Sequence, residues 1–165
     1  MKKTSSMIIL IITVCFTGLM AGLFYSWSVS VIPGLAKLND EQFLAAFQAM
    51  NRAILNPLFL CVFTGNILLL AIATWQQFHH EGYRYMMLTS ALYMIGVFGI
   101  TAFGNVPLND TLDKFDLVNA SKDAIKDMRM DFEGLWVKLH TIRTIAAVLA
   151  FICGLIGLYQ AANEN

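Results

Sequence analysis

What this chain lacks is charge, and it lacks it in blocks. Residues 4–36, 53–80, 85–109 and 144–163 contain no Asp, Glu, Lys or Arg. Crossing a hydrocarbon core about 30 Å thick takes about 20 mostly apolar residues, and each block is long enough. With 58% hydrophobic and only 13% charged residues among 165, the chain cannot give a soluble four-helix bundle its polar outer faces. It therefore reads as all-α: one integral membrane domain over 1–165, a four-helix bundle with spans at about 7–33, 57–77, 85–104 and 135–160.

Other shortages exclude other classes. The formal net charge is zero and no basic stripe runs along any segment, so nucleic acid is not an expected partner. Cysteine is scarce: Cys15, Cys61 and Cys153 fall in three different spans without a CxxC spacing. That leaves no disulfide frame and no zinc site, and the thiols are expected to be small buried hydrophobes. His79-His80 lie at the opposite membrane end from His140, which argues against a bis-histidine haem. No metal or other cofactor is expected. Low-complexity tracts and internal repeats are missing too.

What is present is organised around the spans. MKKTSSMIILIITVCFTGLMAG has the basic start and apolar core of a signal peptide. The apolar run continues to Leu35 and no small-x-small site follows, so a retained signal anchor is expected. Span one ends near Pro33-Gly34. In NDEQFLAAFQAMNRAI (39–54), Asn39 with Gln42 fits a capping box, and Phe43, Phe47, Met50 and Ile54 form one apolar stripe. A short amphipathic helix at the membrane surface is expected there. Pro57 then opens span two. The connector 105–134 is expected to be partly helical, near 108–117 and again from Ser121 onward.

Both connectors, 34–55 and 105–138, lie on one side of the membrane, opposite the termini. That side carries seven Lys/Arg, and the terminal side carries Lys2, Lys3 and Arg84. The positive-inside rule would put the connectors in the cytoplasm, whereas Lys2-Lys3 ahead of the first span favours cytoplasmic termini. We expect cytoplasmic termini in a bacterial inner membrane.

Polarity inside the membrane gathers at the connector end. Span one finishes YSWSVS, with Tyr25 and Trp27. Asn51, Arg52 and Asn56 precede span two. Thr101, Asn105 and Asn109 end span three, and Trp136, His140 and Arg143 begin span four. The last three sit at i, i+4 and i+7 and share a helix face. An arginine at this depth either snorkels to water or faces the bundle interior. An inward Arg143 is expected to pair with Glu133, Asp110, Asp113 or Glu41. Gly18, Gly22, Ser26 and Ser30 form a small-xxx-small stripe for close packing. Asn66 is expected to bond between helices, and Met86-Met87 to fill the core or face lipid.

AGLFYSWSVSVIPGL, FQAMNRAILNPLF, FGNVPLND and LWVKLHTIRT, in this order, resemble the anthrone oxygenase-like family of small four-span membrane proteins, over about 18–150. The resemblance implies a membrane bundle. For the family's polyketide-pathway members it implies oxidation of anthrones to anthraquinones by molecular oxygen, without metal or flavin. Its polar signature falls on Asn51, Arg52, Asn56, Pro57, Asn105, Pro107, Asn109, Trp136 and Arg143. Many relatives have Asn where His140 stands.

Two functions stay open. In one, the cluster binds a lipophilic aromatic or quinone-like molecule, or only stabilises the bundle and docks a membrane partner or a second copy. In the other, the protein is a cofactor-independent oxygenase. There His140 is the base, Arg143 the anion clamp, Asn51, Asn56, Asn105 and Asn109 the orienting amides, and Tyr25, Trp27 and Trp136 the walls.

Overall fold

The structure, a computed structural model, describes residues 2–164, with side chains from Ser6 onward; Lys2-Lys3 lie outside the described side chains. Among the described residues all regular structure is helical. The order is α1 (Lys2–Ser26), a π-helical stretch Trp27–Val31, α2 (Ile32–Leu35), α3 (Asp40–Ile54), α4 (Pro57–Gln76) and α5 (Tyr83–Ala91). Two more π-helical stretches, Leu92–Gly99 and Thr101–Asn105, then lead into α6 (Val106–Asp113), and α7 (Lys122–Asn163) closes the chain. Four continuous rods are long and apolar enough to cross a membrane: Ser6–Leu35, Pro57–Gln76, Tyr83–Asp113 and Lys122–Asn163.

Local chemistry sets the helix starts. The Asn39 side chain accepts from the Gln42 N–H at 2.9 Å, and Asp40 and Glu41 occupy the first turn of α3, where acids complement the helix dipole. Asn56 caps α4 by accepting from the Phe59 N–H, with Pro57 in the first turn. Ser121 caps α7 through the Ala124 N–H.

Two of the three π-helical stretches share a cause. Proline lacks an N–H and its ring excludes the carbonyl four residues back, so Pro33 disturbs Val29 and Pro107 disturbs Phe103. In each rod the ladder widens just upstream. The Ile32 N–H bonds Trp27 O, and the Val106 N–H bonds Thr101 O, each five residues back. The helix continues through the proline in both cases. Span three therefore does not stop at 104 but runs to Asp113, and span four is the C-terminal part of one helix starting at Lys122.

The fold has two cores. The first lies among the apolar rods and includes Leu10, Phe24, Phe63, Leu70, Met86, Tyr93 and Ala147. Lipid tails offer no hydrophobic drive between helices, so small residues and polar contacts hold them. Gly96 faces Ala146, and Gly154 lies beside Val14 and Thr89. Asn66 donates to Thr17 Oγ1 at 3.0 Å, and Tyr93 donates to Phe63 O at 2.9 Å. Met86 is core and Met87 faces outward.

The second core lies beyond these contacts, at the connector end. Phe43, Leu44 and Phe47 of α3 are buried against Leu112, Ile125, Phe132 and Trp136. The amphipathic helix thus spends its apolar stripe on α6 and α7. The 42 residues of α7, at 1.5 Å each, make about 63 Å, twice a membrane core, which gives α3 a surface to pack on. Arg129 fastens the entry to α3. It donates to Asp40 Oδ1, Glu133 Oε2 and Leu38 O at 3.0, 2.8 and 2.9 Å, and covers the Phe43 ring.

Two packing expectations are corrected. Of the small-residue stripe only Gly18 meets a neighbouring helix, at Phe151, whereas Gly22, Ser26 and Ser30 face outward. Cys15 and Cys61 are exposed on the bundle surface and Cys153 is half-buried; all three are free.

Candidate functional site

The two proline-linked π-helical stretches deliver Trp27, Ser28, Thr101 and Asn105 to the level of His140 and Arg143 on α7. A π turn shifts the facing register of the residues that follow it, and such turns recur at functional sites. Here they aim polar groups of α1 and of the third rod inward.

His140 is fully buried. Its Nε2 lies 3.1 Å from both Phe24 O and Ser28 Oγ, and its Nδ1 receives Arg143 Nε at 3.2 Å and Arg143 Nη2 at 2.9 Å. A guanidinium only donates, so Nδ1 is the acceptor and the ring proton sits on Nε2, donating to the Phe24 carbonyl. The imidazole is neutral and both nitrogens are engaged. It stacks on Trp136 at 5.0 Å, tilted by 7°, with Trp27 beside both rings.

Arg143 is 7% exposed. Its Nη1 donates to Thr101 Oγ1 at 3.2 Å, and its guanidinium carbon lies 4.6 Å from the Phe24 ring centre and 5.2 Å from that of Trp136. The expected carboxylate partner is not there. Glu133 pairs with Arg129, Asp113 pairs with Arg52, and Asp110 and Glu41 are exposed. Among the described residues no acid reaches ion-pair distance of Arg143. Snorkelling is excluded as well, because the group is enclosed by the bundle. With Nε and one side of Nη2 on His140 and Nη1 on Thr101, the outer N–H groups of the two Nη atoms stay unspent.

Beside Arg143 is a cavity of about 50 Å³, walled by Trp27, Phe24 and Trp136 and bordered by Asn51 and Asn109. Met50 and Ile54 of α3 help to close it. Asn51 is 9% exposed and its Nδ2 is buried with no hydrogen-bond partner. Asn109 Oδ1 accepts from Trp136 Nε1 at 2.7 Å, which leaves its own amide N–H groups free to donate. Arg143, Asn51 and Asn109 therefore bring N–H groups to the lining.

Of the residues named from sequence, Asn51, Asn109, Trp27, Trp136 and Arg143 line the cavity, and His140 stands behind Arg143. Asn105 is buried one layer away. Its Nδ2 donates to Trp136 O at 3.2 Å and its Oδ1 has no partner. Asn56 is exposed and engaged in capping, and Tyr25 is 57% exposed on the outer surface; neither joins the cluster. Phe24, Ser28 and Thr144 were not singled out from sequence. Ser28 shares its hydroxyl with Thr144 Oγ1 at 3.3 Å. Helical spacing was the available signal, since Thr144 is four residues after His140 and Ser28 four after Phe24.

The fold and cluster define a class: a four-span helical membrane protein with an aromatic-walled, donor-lined cavity around a buried arginine. The family profile described as anthrone oxygenase matches residues 43–153, two thirds of the chain, and the protein belongs to that family. No curated protein and no solved structure matches it. The matched segment starts in α3, so Phe24, Trp27 and Ser28 lie ahead of it.

Proposed function

We propose that the cavity binds a lipophilic aromatic molecule through a phenolic, enolic or quinone oxygen, held as an oxyanion or acceptor by the free edge of Arg143. The observation that supports this is the buried guanidinium with no carboxylate partner among the described residues. A buried ion without an opposite charge carries a large desolvation penalty, and bundles retain such groups for function. Asn51 and Asn109 add donors for a second ligand oxygen. The walls Trp27, Phe24 and Trp136 suit a flat ring system.

At about 50 Å³ the cavity is well below the roughly 300–1,000 Å³ of small-molecule clefts. A tricyclic ligand therefore needs α3 to move outward at Met50 and Ile54. The same small volume is what favours the second reading, a cluster that only locks the bundle.

Membership of the family supports chemistry on the bound ligand. For an anthrone, one atom of O2 would replace the two hydrogens of the methylene carbon, and the other would leave as water. Arg143 would stabilise the enolate from which the electron leaves, and the enclosed site would keep water from the intermediates. His140 is a positioning residue in this reading: its Nδ1 lone pair orients the guanidinium and is not free to take a proton. We place the protein in a bacterial inner membrane with both termini in the cytoplasm, on the strength of Lys2-Lys3 ahead of span one.

The test is oxygen uptake by purified protein given an anthrone. The expected result is uptake above the protein-free rate, one O2 per anthrone, abolished in Arg143→Met. Wild-type protein that never exceeds the protein-free rate removes the oxygenase. A co-purifying aromatic mass in the native mass spectrum would then carry the binding reading alone.

A further inference from the structure

We infer that the cavity beside Arg143 is a binding site for a small monovalent inorganic anion, of the halide or nitrate class, which serves as the counter-ion of the resting site.

Arg143 keeps its proton in proteins and is enclosed by the bundle. Its neighbours, His140, Thr101, Phe24 and Trp136, offer lone pairs and ring faces but no negative charge. The candidate acids Asp113 and Glu133 are engaged by Arg52 and Arg129, and Asp110 and Glu41 face solvent. No described group in contact with the guanidinium balances its charge, which leaves room for a bound anion to do so.

A second, independent observation points to the same place. The Asn51 amide is nine-tenths buried, lines this cavity and has an N–H group without a partner. Buried donors in folded proteins are almost always paired. Asn51 comes from α3 and Arg143 from α7, so the two donors converge from separate elements, as a built site requires. Asn109 supplies further N–H groups.

Size and valence narrow the class. A volume of about 50 Å³ exceeds the roughly 10–15 Å³ that one water needs, so an ion of a few heavy atoms fits. Chloride, bromide and nitrate are no larger than that. A divalent ion would leave an unbalanced negative charge in an apolar wall. Chemically, this ion is what an incoming phenolate or enolate would displace, so halide is expected to compete with any such ligand.

The experiment uses the full-length protein in neutral detergent, in gluconate buffer at constant ionic strength. Bromide and iodide are titrated while tryptophan emission and thermal unfolding are followed. Trp27 and Trp136 flank the cavity. Trp75 lies far from it and is exposed, so a Trp75→Phe background removes its collisional quenching. The expected result is saturable quenching by iodide and a saturable rise of about 5 °C in melting temperature with bromide. Both should weaken at least tenfold in Asn51→Leu and vanish in Arg143→Met. Linear, collisional quenching and equal melting in gluconate and bromide overturn the inference using wild-type protein alone, even if a variant does not fold. Saturation that is unchanged in both variants overturns it too, because the ion then sits elsewhere. Halide saturation without any aromatic binding would support this site and remove the ligand reading. Aromatic binding without halide saturation would do the reverse.

Discussion

Replacing Arg143 by methionine separates a working arginine from a structural one. Methionine keeps most of the stem volume and removes the charge. His140 Nδ1 then loses its donor, which costs about 1–3 kcal/mol for a buried unpaired acceptor. Losing the faces of Phe24 and Trp136 costs about 1–2 kcal/mol. Thr101 can turn its hydroxyl to a carbonyl one turn back, at little cost. Against this, a guanidinium inside a bilayer-spanning segment is unfavourable by about 2.5–3.5 kcal/mol. The net change lies within about 2 kcal/mol of zero. If Arg143 were half of a buried ion pair, its removal would cost about 3–5 kcal/mol. At 2–4 °C per kcal/mol for a chain of this length, the assay is thermal unfolding in mild detergent. Chloride-free buffer removes any contribution from a bound halide. A melting temperature within about 5 °C of wild type supports an arginine held for its ligand. A fall of more than about 10 °C would refute the reasoning, because the guanidinium would then be a structural lock.

Three further outcomes follow from the packing. In Gly96→Ala the new Cβ would lie 2.5 Å from Ala146 Cβ, well inside carbon contact distance. Overpacking should outweigh the helix-propensity gain and leave a net loss of about 1–2 kcal/mol in a denaturant titration. Arg129→Ala removes bonds to Asp40, Glu133 and Leu38 and should loosen α3 by about 2 kcal/mol. Faster amide exchange over 40–54, with the spans unchanged, is the readout. The Arg52–Asp113 pair is exposed on both sides, at 64% and 45%. A double-mutant cycle should find less than about 1 kcal/mol of coupling, lost at high salt.

The sequence carried the four rods plainly, because twenty uncharged residues in a row have few other uses. It also carried three helix starts, since Asn39, Asn56 and Ser121 are side chains that cap. It carried the inward face of α7 through the spacing of Trp136, His140 and Arg143. It did not carry the length of the rods. Span one is expected to end near Pro33-Gly34 and span three at about 104, yet each helix widens to a π turn and continues, a choice that depends on tertiary packing. Where α3 would lie was also hidden. Its apolar stripe is legible, but lipid and the far ends of α6 and α7 are equally apolar partners. The unpaired state of Arg143 was hidden for a related reason. Of its candidate acids, Glu133 and Asp113 are taken by Arg129 and Arg52, and Asp110 and Glu41 face solvent. Asn56 entered the expected site by type and proximity, and its capping role took it out.

The most direct test of the central claim is whether binding ionises a phenol at Arg143. A lipophilic hydroxyanthraquinone, whose anion absorbs at longer wavelength than the neutral form, is added to the protein at a pH where it is neutral in detergent alone. The account predicts a stoichiometric anion band with wild-type protein and none with folded Arg143→Met. A probe that stays neutral beside wild type, or an equal anion band with Arg143→Met, would contradict it.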